Sequence, residues 1–240
     1  MMSWAALRTA YLQRRYTVLL AACVCALMVR PLIGESDAEL IIFGIAMVAL
    51  LMIALLTISV DELVGEREML TRQHRRRSII GWVLAVPAIA ERFYMITVST
   101  PQAFKLGAIS WLLFFAFITW SLLRTLLRHK EVSGETISLS VAIYLLIGVT
   151  WGMFYIMLAQ FNPDAFRFDE SISAAQLQME THLFPTLIYF SMTTLSTIGF
   201  GDILPMSMQA RYAAVAEGIT GQFYIAILVA RLVSTQMSRR

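Results

Sequence analysis

Long runs of apolar residues dominate the chain, and short polar or charged segments separate them. A helix needs about 20 predominantly apolar residues to cross a bilayer. The runs carry no periodic polar face, so they predict helices that contact lipid as well as one another, and hence an all-α membrane protein. Six runs are long enough to be candidate spans: Tyr16–Ile33, Glu39–Val60, Ser78–Val98, Leu106–Leu127, Ile137–Gln160 and Met208–Val233.

A further apolar stretch, Leu183–Ser196, is too short to cross a bilayer and leads directly into a glycine-rich turn. Short apolar segments of this kind are typical of re-entrant elements, which enter the membrane without crossing it. We expect Phe184–Ser196 to form a short helix that points into the membrane. Pro185 would lie in its first turn, where a missing backbone N–H is tolerated.

The first apolar run allows two interpretations. It follows Arg14 and Arg15 and is fairly short, as in the apolar region of a secretory signal peptide. No clean cleavage pattern of small residues follows it, however, and the chain goes on to alternate between apolar and charged segments. A retained membrane helix is therefore the favoured interpretation.

The basic residues cluster between the apolar runs and fix the expected orientation. Loops rich in Lys and Arg usually stay in the cytoplasm. With six crossing helices every basic segment falls on one side, whereas Gly34–Ala38 and Phe161–His182, which are poor in Lys and Arg, fall on the other. We therefore expect a multi-pass protein of the cell (inner) membrane with both termini in the cytoplasm. The basic residues that decide this are Arg8, Arg14, Arg15, Arg72, Arg75, Arg76, Arg77, Arg124, Arg128, Lys130, Arg239 and Arg240.

Composition narrows the functional classes. Of the 240 residues, 58% are hydrophobic and 15% are charged, and the mean hydropathy is +0.70. Ordinary soluble domains contain about 25% charged residues. The net charge of +3 comes from basic residues that follow membrane topology and form no nucleic-acid surface. Cys23 and Cys25 show neither metal-site nor disulfide spacing, and the histidines stand apart from one another, so we expect no enzyme, no cofactor and no nucleic-acid partner.

The segment Thr193–Asp202 reads Thr-Thr-Leu-Ser-Thr-Ile-Gly-Phe-Gly-Asp. Gly199 and Gly201 can adopt left-handed backbone conformations at low cost. Alternating handedness along Thr197–Gly201 would turn successive carbonyl oxygens to the same side of the chain. Four such segments around one axis would form stacked rings of oxygen atoms that replace the hydration shell of a permeating cation. Non-helical backbone is tolerated at membrane depth only where protein or a water-filled cavity satisfies it, and a filter meets that condition.

This motif resembles the signature Thr-x-x-Thr-x-Gly-Tyr-Gly-Asp of the potassium-channel superfamily. Phe200 replaces the commoner tyrosine, and the resemblance extends from about Ile137 to Val233 in the order outer helix, turret, pore helix, filter and inner helix. Within the superfamily the chain is similar to short bacterial six-helix channels that have one pore loop and no cytoplasmic regulatory domain. The residues that match the signature as they stand are Thr194, Thr197, Gly199, Gly201 and Asp202.

The resemblance implies a homotetramer that conducts potassium ions passively, because one chain supplies only one carbonyl to each ring. The ions would bind to the backbone carbonyls of Thr197, Ile198, Gly199 and Phe200. Phenylalanine in place of tyrosine removes a hydroxyl that would bond to the pore helix, which allows a less rigid filter. A weakly selective cation channel is therefore one alternative, and a non-conducting subunit of a potassium transport system is another.

Four residues around the filter are candidate supports: Thr193, Thr194, Asp202 and Glu217. Asp202 would lie at the outer mouth, where its carboxylate can order the filter and attract cations. Glu217 lies in the last apolar run at about filter depth, where a carboxylate must be paired or hydrated. A supporting role, in which it is bonded to pore-helix groups or protonated, is favoured over direct attraction of cations. The C-terminal end of the pore helix carries partial negative charge and would favour a cation below the filter.

The last apolar run also carries the gating candidates. Gly221 stands nineteen residues after Asp202, where the resemblance implies a hinge glycine; helix packing explains it equally well, and Gly218 is a competitor. Gln222 is placed to reach a central cavity. Ile225 and Val229, followed by Leu232 or Val233, recur at helical spacing and suit either a cavity lining that gates by dewetting or plain helix packing.

The first four apolar runs contain no obvious sensor. Leu106–Leu127 lacks an arginine at every third position, and Arg124 and Arg128 lie only at its cytoplasmic end, as interfacial anchors do. We therefore expect no strong voltage gating. Glu91 and Arg92 interrupt the third run, and pairing inside the bundle is favoured over a voltage- or proton-sensing role.

Two further predictions concern the basic cluster at residues 72–77 and the division of the chain into domains. The cluster Arg72, Arg75, Arg76 and Arg77 serves as a topology signal, and it also suits anionic lipid head groups. Residues 1–135 are expected to form a four-helix membrane bundle around the pore, and residues 136–240 are expected to form the pore domain.

Overall fold

The computed structural model describes residues 4–33, 37–64, 79–90, 101–129, 132–169 and 180–237. Within these residues the chain forms seven helices and a short two-stranded sheet. The helices are α1 (Trp4–Ile33), α2 (Asp37–Val64), α3 (Ile79–Ala90), α4 (Pro101–Arg128), α5 (Gly134–Phe161), α6 (Glu180–Leu195) and α7 (Met208–Met237). The strands are β1 (Phe166–Phe168) and β2 (Ile203–Pro205), and a 3-10 turn, Pro163–Ala165, precedes β1.

The predicted helical class is confirmed, since each predicted span overlaps one of these helices. Among the described residues, three helices are long and apolar enough to cross a membrane: Lys105–Arg128, Gly134–Phe161 and Met208–Arg231. The number of six crossing helices stays a prediction. The second half of the third predicted span lies outside the described residues, as do Glu91 and Arg92 and the basic cluster at residues 72–77.

The contacts within the chain define two compact units. One combines Met1–Arg92 with Phe117–Ile143, and the other combines Phe93–Ala116 with Tyr144–Arg240. Each unit therefore contains one part of α4 and one part of α5. The functional division into residues 1–135 and 136–240 stays a prediction.

The core of the first unit is built on a regular stripe of apolar residues. In α1 the buried residues Tyr16, Leu19, Cys23 and Ala26 recur every three or four positions, which places them on one helix face. Helix α1 packs against α2. Cys23 therefore belongs to the packed stripe, whereas Cys25 is exposed, and both thiols are free.

Helix α1 is broken at Arg14, whose backbone has φ −123° and ψ 21°. The break gives the following segment its own first turn, with amide groups that lack a partner inside the helix. Glu135, in the first turn of α5, supplies the missing acceptor: its Oε2 accepts from the backbone N–H of Tyr16 at 3.0 Å and of Thr17 at 3.3 Å. The Thr17 hydroxyl donates to the other carboxylate oxygen. Glu135 thus caps a helix that lies more than a hundred residues earlier in the chain.

His129 contacts the same turn, because its Nε2 lies 3.3 Å from the Tyr16 hydroxyl. His129 is therefore part of the polar cluster at the break in α1, together with Tyr16 and Glu135.

The second unit is organised by three aromatic rings from three different elements. Tyr155 of α5, Phe166 of β1 and Phe190 of α6 are buried, with ring centroids 5.1 to 5.6 Å apart in edge-to-face pairs. Such pairs contribute about 0.5–1.5 kcal/mol each beyond the burial of their area. Strand β1 pairs antiparallel with β2, with Phe166 opposite Pro205 and Phe168 opposite Ile203.

Helix α6 begins earlier than the sequence predicts. It starts at Glu180, so Pro185 lies inside the helix and not in its first turn. A proline inside a helix cannot donate to the carbonyl four residues before it, and its ring crowds that carbonyl. The helix tolerates this because Pro185 is still close to the N-terminal end, where few intrahelical bonds are lost.

The cap on α1 predicts a local change in amide exchange. In Glu135→Ala the amides of Tyr16 and Thr17 lose their acceptor, and we expect them to exchange several-fold faster, because a lost helix cap costs about 1 kcal/mol. Hydrogen–deuterium exchange with mass spectrometry measures this on the full chain in detergent. Glu135→Gln keeps one acceptor oxygen and should give an intermediate rate. Unchanged exchange in the alanine variant would mean that another group caps this turn.

Candidate ion-conducting site

The loop after α6 has an alternating backbone. Thr197, Gly199 and Gly201 have φ values of +58°, +53° and +82°, and they are the positive-φ residues of the described chain. Ile198 and Phe200, which lie between them, do not share that conformation. The sequence anticipates left-handed glycines but not a left-handed threonine, since a β-branched residue rarely adopts this conformation. The alternation of left-handed residues therefore begins at Thr197, two residues before Gly199.

The N–H groups at the start of this loop point back to the pore helix. The N–H of Thr197 donates to the carbonyl of Thr194 at 3.0 Å, and those of Ile198 and Gly199 donate to the carbonyl of Thr193 at 2.9 and 3.1 Å. In a trans peptide the N–H and C=O groups point in opposite directions, and the described residues contain no cis peptide bond. The carbonyls of Ser196, Thr197 and Ile198 therefore point away from α6.

Thr193 and Thr194 are thus brought to the filter through their backbone carbonyls. The Thr193 side chain is buried and its hydroxyl donates to the carbonyl of Phe190 at 2.9 Å. The Ser196 hydroxyl donates to the carbonyl of Met192 at 2.7 Å. These hydroxyl bonds tighten the last turn of α6, which is the turn that supplies the acceptors for the loop.

The outer end of the loop is held by the two-stranded sheet. Asp202 leads directly into β2, its carbonyl accepts from the N–H of Asp169 at 2.9 Å, and its Oδ1 accepts from the N–H of Ile203 at 3.1 Å. Beyond β2 the N–H of Met206 donates to the carbonyl of Ala165 at 2.8 Å. The sheet was not predicted, because strands of three residues leave no readable period.

Tyr189 of α6 links the pore helix to both ends of the Phe200–Asp202 segment. Its ring lies parallel to that of Phe200, with centroids 6.4 Å apart and planes at 4°, and its hydroxyl interacts with the Asp202 side chain. Partial burial, together with the neighbouring Asp202 carboxylate, raises the pKa of Tyr189 to about 12. Phe200 lacks a hydroxyl, but it contacts the pore helix through this stacked pair.

Glycines let the neighbouring helices approach α6 closely. A Cβ atom at Gly148 of α5 would lie 2.7 Å from the sulfur of Met192, and one at Gly152 would lie 2.9 Å from the Ile188 side chain and 3.0 Å from its Cα. These glycines are four residues apart and therefore share a helix face. Small residues at this spacing are a common packing device between membrane helices. The pair is visible in the sequence, but nothing there indicates which helix it faces.

Gly221 of α7 makes the closest of these approaches. A Cβ atom there would lie 2.3 Å from the carbonyl oxygen of Leu195, the last residue of α6. The same carbonyl oxygen is 3.3 Å from the hydroxyl of Tyr144. At Gly218 the nearest atom to an added Cβ is the carbonyl oxygen of Thr194 at 3.9 Å, an ordinary contact. The geometry gives Gly221 a definite packing role, and the hinge role stays a prediction.

Glu217 is fully buried at the point where α5, α6 and α7 meet. The Tyr155 hydroxyl donates to its Oε2 at 2.6 Å, and its Oε1 is in hydrogen-bond contact with the Ser191 hydroxyl. Tyr155 and Ser191 were missed by sequence reasoning. They stand 62 and 26 residues away from Glu217 along the chain, and no spacing rule connects them.

The remaining inner-helix candidates do not gather into a site within this chain. Gln222, Ile225 and Val229 are exposed, whereas the side chains of Leu232 and Val233 lie outside the described part. Among the described residues, no group of three or more His, Cys, Asp or Glu side chains could hold a metal ion. Potassium binding by the backbone carbonyls of Thr197, Ile198, Gly199 and Phe200 stays a prediction.

The packing of Gly221 predicts unequal effects for two alanine substitutions on one helix. Gly221→Ala forces Leu195 or α7 to move, and we expect a loss of about 1–3 kcal/mol, as is typical of overpacking. The melting temperature of the purified full chain in detergent should therefore fall. Gly218→Ala, one turn away, has room for its methyl group and serves as the matched control. A Gly221→Ala protein that keeps its melting temperature but changes its open probability would instead indicate a hinge.

Comparison with known proteins yields three findings. The family described as Ion channel matches residues 143–237, which include the loop and the helices on either side of it. The potassium channel protein kcv of Paramecium bursaria Chlorella virus 1 is 32% identical over 74 residues, which cover 31% of this chain and 76% of the viral protein. The two-pore potassium channel 4 of Arabidopsis thaliana is 37% identical over 59 residues, which cover 25% of this chain and 21% of the plant protein.

The chain thus spans about a fifth of the plant relative and most of the viral one. No solved structure matches it. The match to the Ion channel family starts within α5 and contains the whole segment from the aromatic cluster to the filter loop and α7. The chain belongs to the potassium-channel superfamily.

Proposed function

We propose that four copies of this chain form a pore that conducts potassium ions selectively and passively, with Thr197–Gly201 as the selectivity filter. The observation that carries the proposal is the alternation of left-handed residues at Thr197, Gly199 and Gly201, combined with N–H groups that point back to α6. Together these turn consecutive carbonyl oxygens away from the pore helix. Oxygen atoms in that arrangement suit a dehydrated monovalent cation.

Four copies are needed because one chain contributes one carbonyl to each ring. The exposure of α7 supports assembly. Only 11% of the most apolar part of this helix is buried, against 56% of the corresponding part of α5. Phe223 and Ile227 are 64% and 59% exposed on this helix. An apolar helix that its own chain leaves uncovered is suited to line a shared axis and to contact neighbouring copies.

Ion entry and exit follow from the same arrangement. Asp202 at the outer end supplies negative charge near the mouth, and the carbonyl end of α6 points its partial negative charge toward a cavity below the filter. Gln222, Ile225 and Val229 of α7 would border that cavity. In the proposed orientation the chain lies in the cell (inner) membrane with both termini in the cytoplasm. Anionic lipid would contact the basic cluster at residues 72–77.

Strong voltage gating is not part of the proposal. Helix α4 carries Arg124 and Arg128 only in its last two turns, and the Arg124 guanidinium lies 5.4 Å from the centre of the Trp120 ring. An arginine held over an aromatic ring near a helix end suits an interfacial anchor.

Flux through a filter variant tests the proposal. Gly199→Ala places a side chain at φ +53°, where no atom of its own chain lies within 4 Å, and the left-handed conformation then costs about 1–2 kcal/mol. We expect potassium flux into liposomes that contain the purified full chain, and loss of that flux in the variant. Gly134→Ala is the matched control, because it also has open space but lies in ordinary helix. A correctly assembled wild-type tetramer without flux would favour the non-conducting subunit.

A weakly selective cation channel is the second candidate, and Phe200 is the observation that favours it. A stacked ring restrains the filter less directionally than a hydroxyl that donates to the pore helix. Reversal potentials in mixed potassium and sodium separate the two: a selective pore reverses near the potassium equilibrium potential, and a weakly selective pore reverses near zero. If the wild type is weakly selective, Phe200→Tyr should move the reversal potential toward that of potassium.

A further inference from the structure

The carboxyl group of Glu217 has an unusual environment. It is fully buried, and the contacts to its two oxygens come from the hydroxyls of Tyr155 and Ser191. Among the described residues no basic side chain pairs with it. A buried carboxylate is costly when it has no cation beside it and only two hydroxyl partners. The contacts of its oxygens therefore indicate its protonation state.

The hydrogen count at Ser191 decides that state. Its Oγ is in hydrogen-bond contact with two oxygens, the carbonyl of Gly148 at 2.6 Å and Oε1 of Glu217. A serine hydroxyl carries one hydrogen, and a carbonyl oxygen carries none. One hydroxyl hydrogen can serve both contacts only as a shared, three-centre bond, which leaves each buried acceptor with a weakened partner. A hydrogen on Glu217 gives each of the two contacts a hydrogen of its own, with Ser191 donating to Gly148.

We infer that Glu217 is a neutral carboxylic acid, and that its proton completes a chain of hydrogen bonds from Tyr155 through Glu217 and Ser191 to the Gly148 carbonyl. In this chain the Tyr155 hydroxyl donates to one carboxyl oxygen, and the other carboxyl oxygen donates to Ser191. The inference rests on the proposed function, because it makes Glu217 a positioning residue that acts on the filter through α6.

The chain of bonds connects the three helices that surround the start of the filter. Tyr155 and Gly148 belong to α5, Ser191 to α6 and Glu217 to α7. Ser191 lies one turn before Leu195, at the end of the helix whose carbonyls accept from the filter N–H groups. Loss of the proton would leave Ser191 with one hydrogen for two acceptors and would bury a negative charge. Either effect displaces α6, so the filter depends on this proton.

Among the described residues, no group around Glu217 supplies a positive charge to compensate its own. From α5 the titratable neighbours are Tyr155 and Tyr144, which interacts electrostatically with Glu217. From α6 the titratable group is Tyr189, which interacts with Asp202. On α7 itself, Arg211 donates to the carbonyl of Pro205, and Arg231 stands fourteen residues away, about 21 Å along the helix. A rise in pH therefore removes the proton from Glu217, and no positive charge among the described residues takes its place.

Infrared spectroscopy of the purified full chain tests the protonation state without reference to conduction. The difference spectrum of wild type minus Glu217→Gln at neutral pH should contain the C=O stretch of a carboxylic acid. Asp164→Asn, at an exposed carboxylate, is the matched control and should remove a carboxylate band instead. A carboxylate band in the Glu217→Gln difference would overturn the inference. If that variant fails to assemble, the absence of any acid C=O stretch from the wild-type spectrum would overturn it equally.

Flux measurements then test the positioning role. Glu217→Gln can still donate to Ser191 and accept from Tyr155, so its potassium flux should stay within about twofold of wild type. Tyr155→Phe keeps the aromatic cluster but removes the hydroxyl, and its potassium flux should fall about tenfold. Wild-type flux should fall as the pH rises, and Glu217→Gln should show a flat profile. Equal pH profiles would refute the positioning role. Absence of wild-type flux would refute the proposed function, while the infrared result would still decide the state of Glu217.

Discussion

In the proposed filter the backbone has to be non-helical at a depth where water and lipid cannot satisfy its polar groups, and this constraint governs the surrounding contacts. Three consecutive N–H groups solve it by donating to the carbonyls of Thr193 and Thr194. Because each peptide is trans, the opposite carbonyls, those of Ser196, Thr197 and Ile198, then point away from α6, as the proposed filter requires. The direction of the filter oxygens is therefore inherited from the last turn of α6, and any element that moves α6 moves them.

Helix α6 is positioned by two kinds of contact that suit a membrane interior. Gly148, Gly152 and Gly221 remove side chains so that helices can approach to backbone contact, which gives dispersion energy where the hydrophobic effect between helices is absent. The Tyr155 ring and the Glu217 carboxyl add directional contacts at the same place. Close packing sets the distance between the helices, and hydrogen bonds of about 1 kcal/mol each fix their rotation.

Sequence reasoning succeeds where the cause of a structure is local. Apolar run length locates the helices, and alternating glycines locate the filter, because both depend on neighbours in the chain. It fails where the cause is distant. The cap after the break at Arg14 comes from Glu135, the β1–β2 pairing joins residues on either side of the pore helix, and the Glu217 partners come from two other helices. Thr197 adopts a left-handed conformation that its own side chain disfavours, because the bond from its N–H to Thr194 holds it there.

Gly221 packs against the pore helix and is also the predicted hinge of α7. The carbonyl of Leu195 lies against its backbone, and three residues later the ring of Tyr224 lies 5.9 Å from that of Tyr144. A bend of α7 at Gly221 would therefore pull on the last carbonyl of the pore helix, whereas a bend beyond Tyr224 would leave it in place. If α7 bends at Gly221, as the predicted hinge requires, the movement therefore acts on the pore helix through this contact, beside the contact between Glu217 and Ser191.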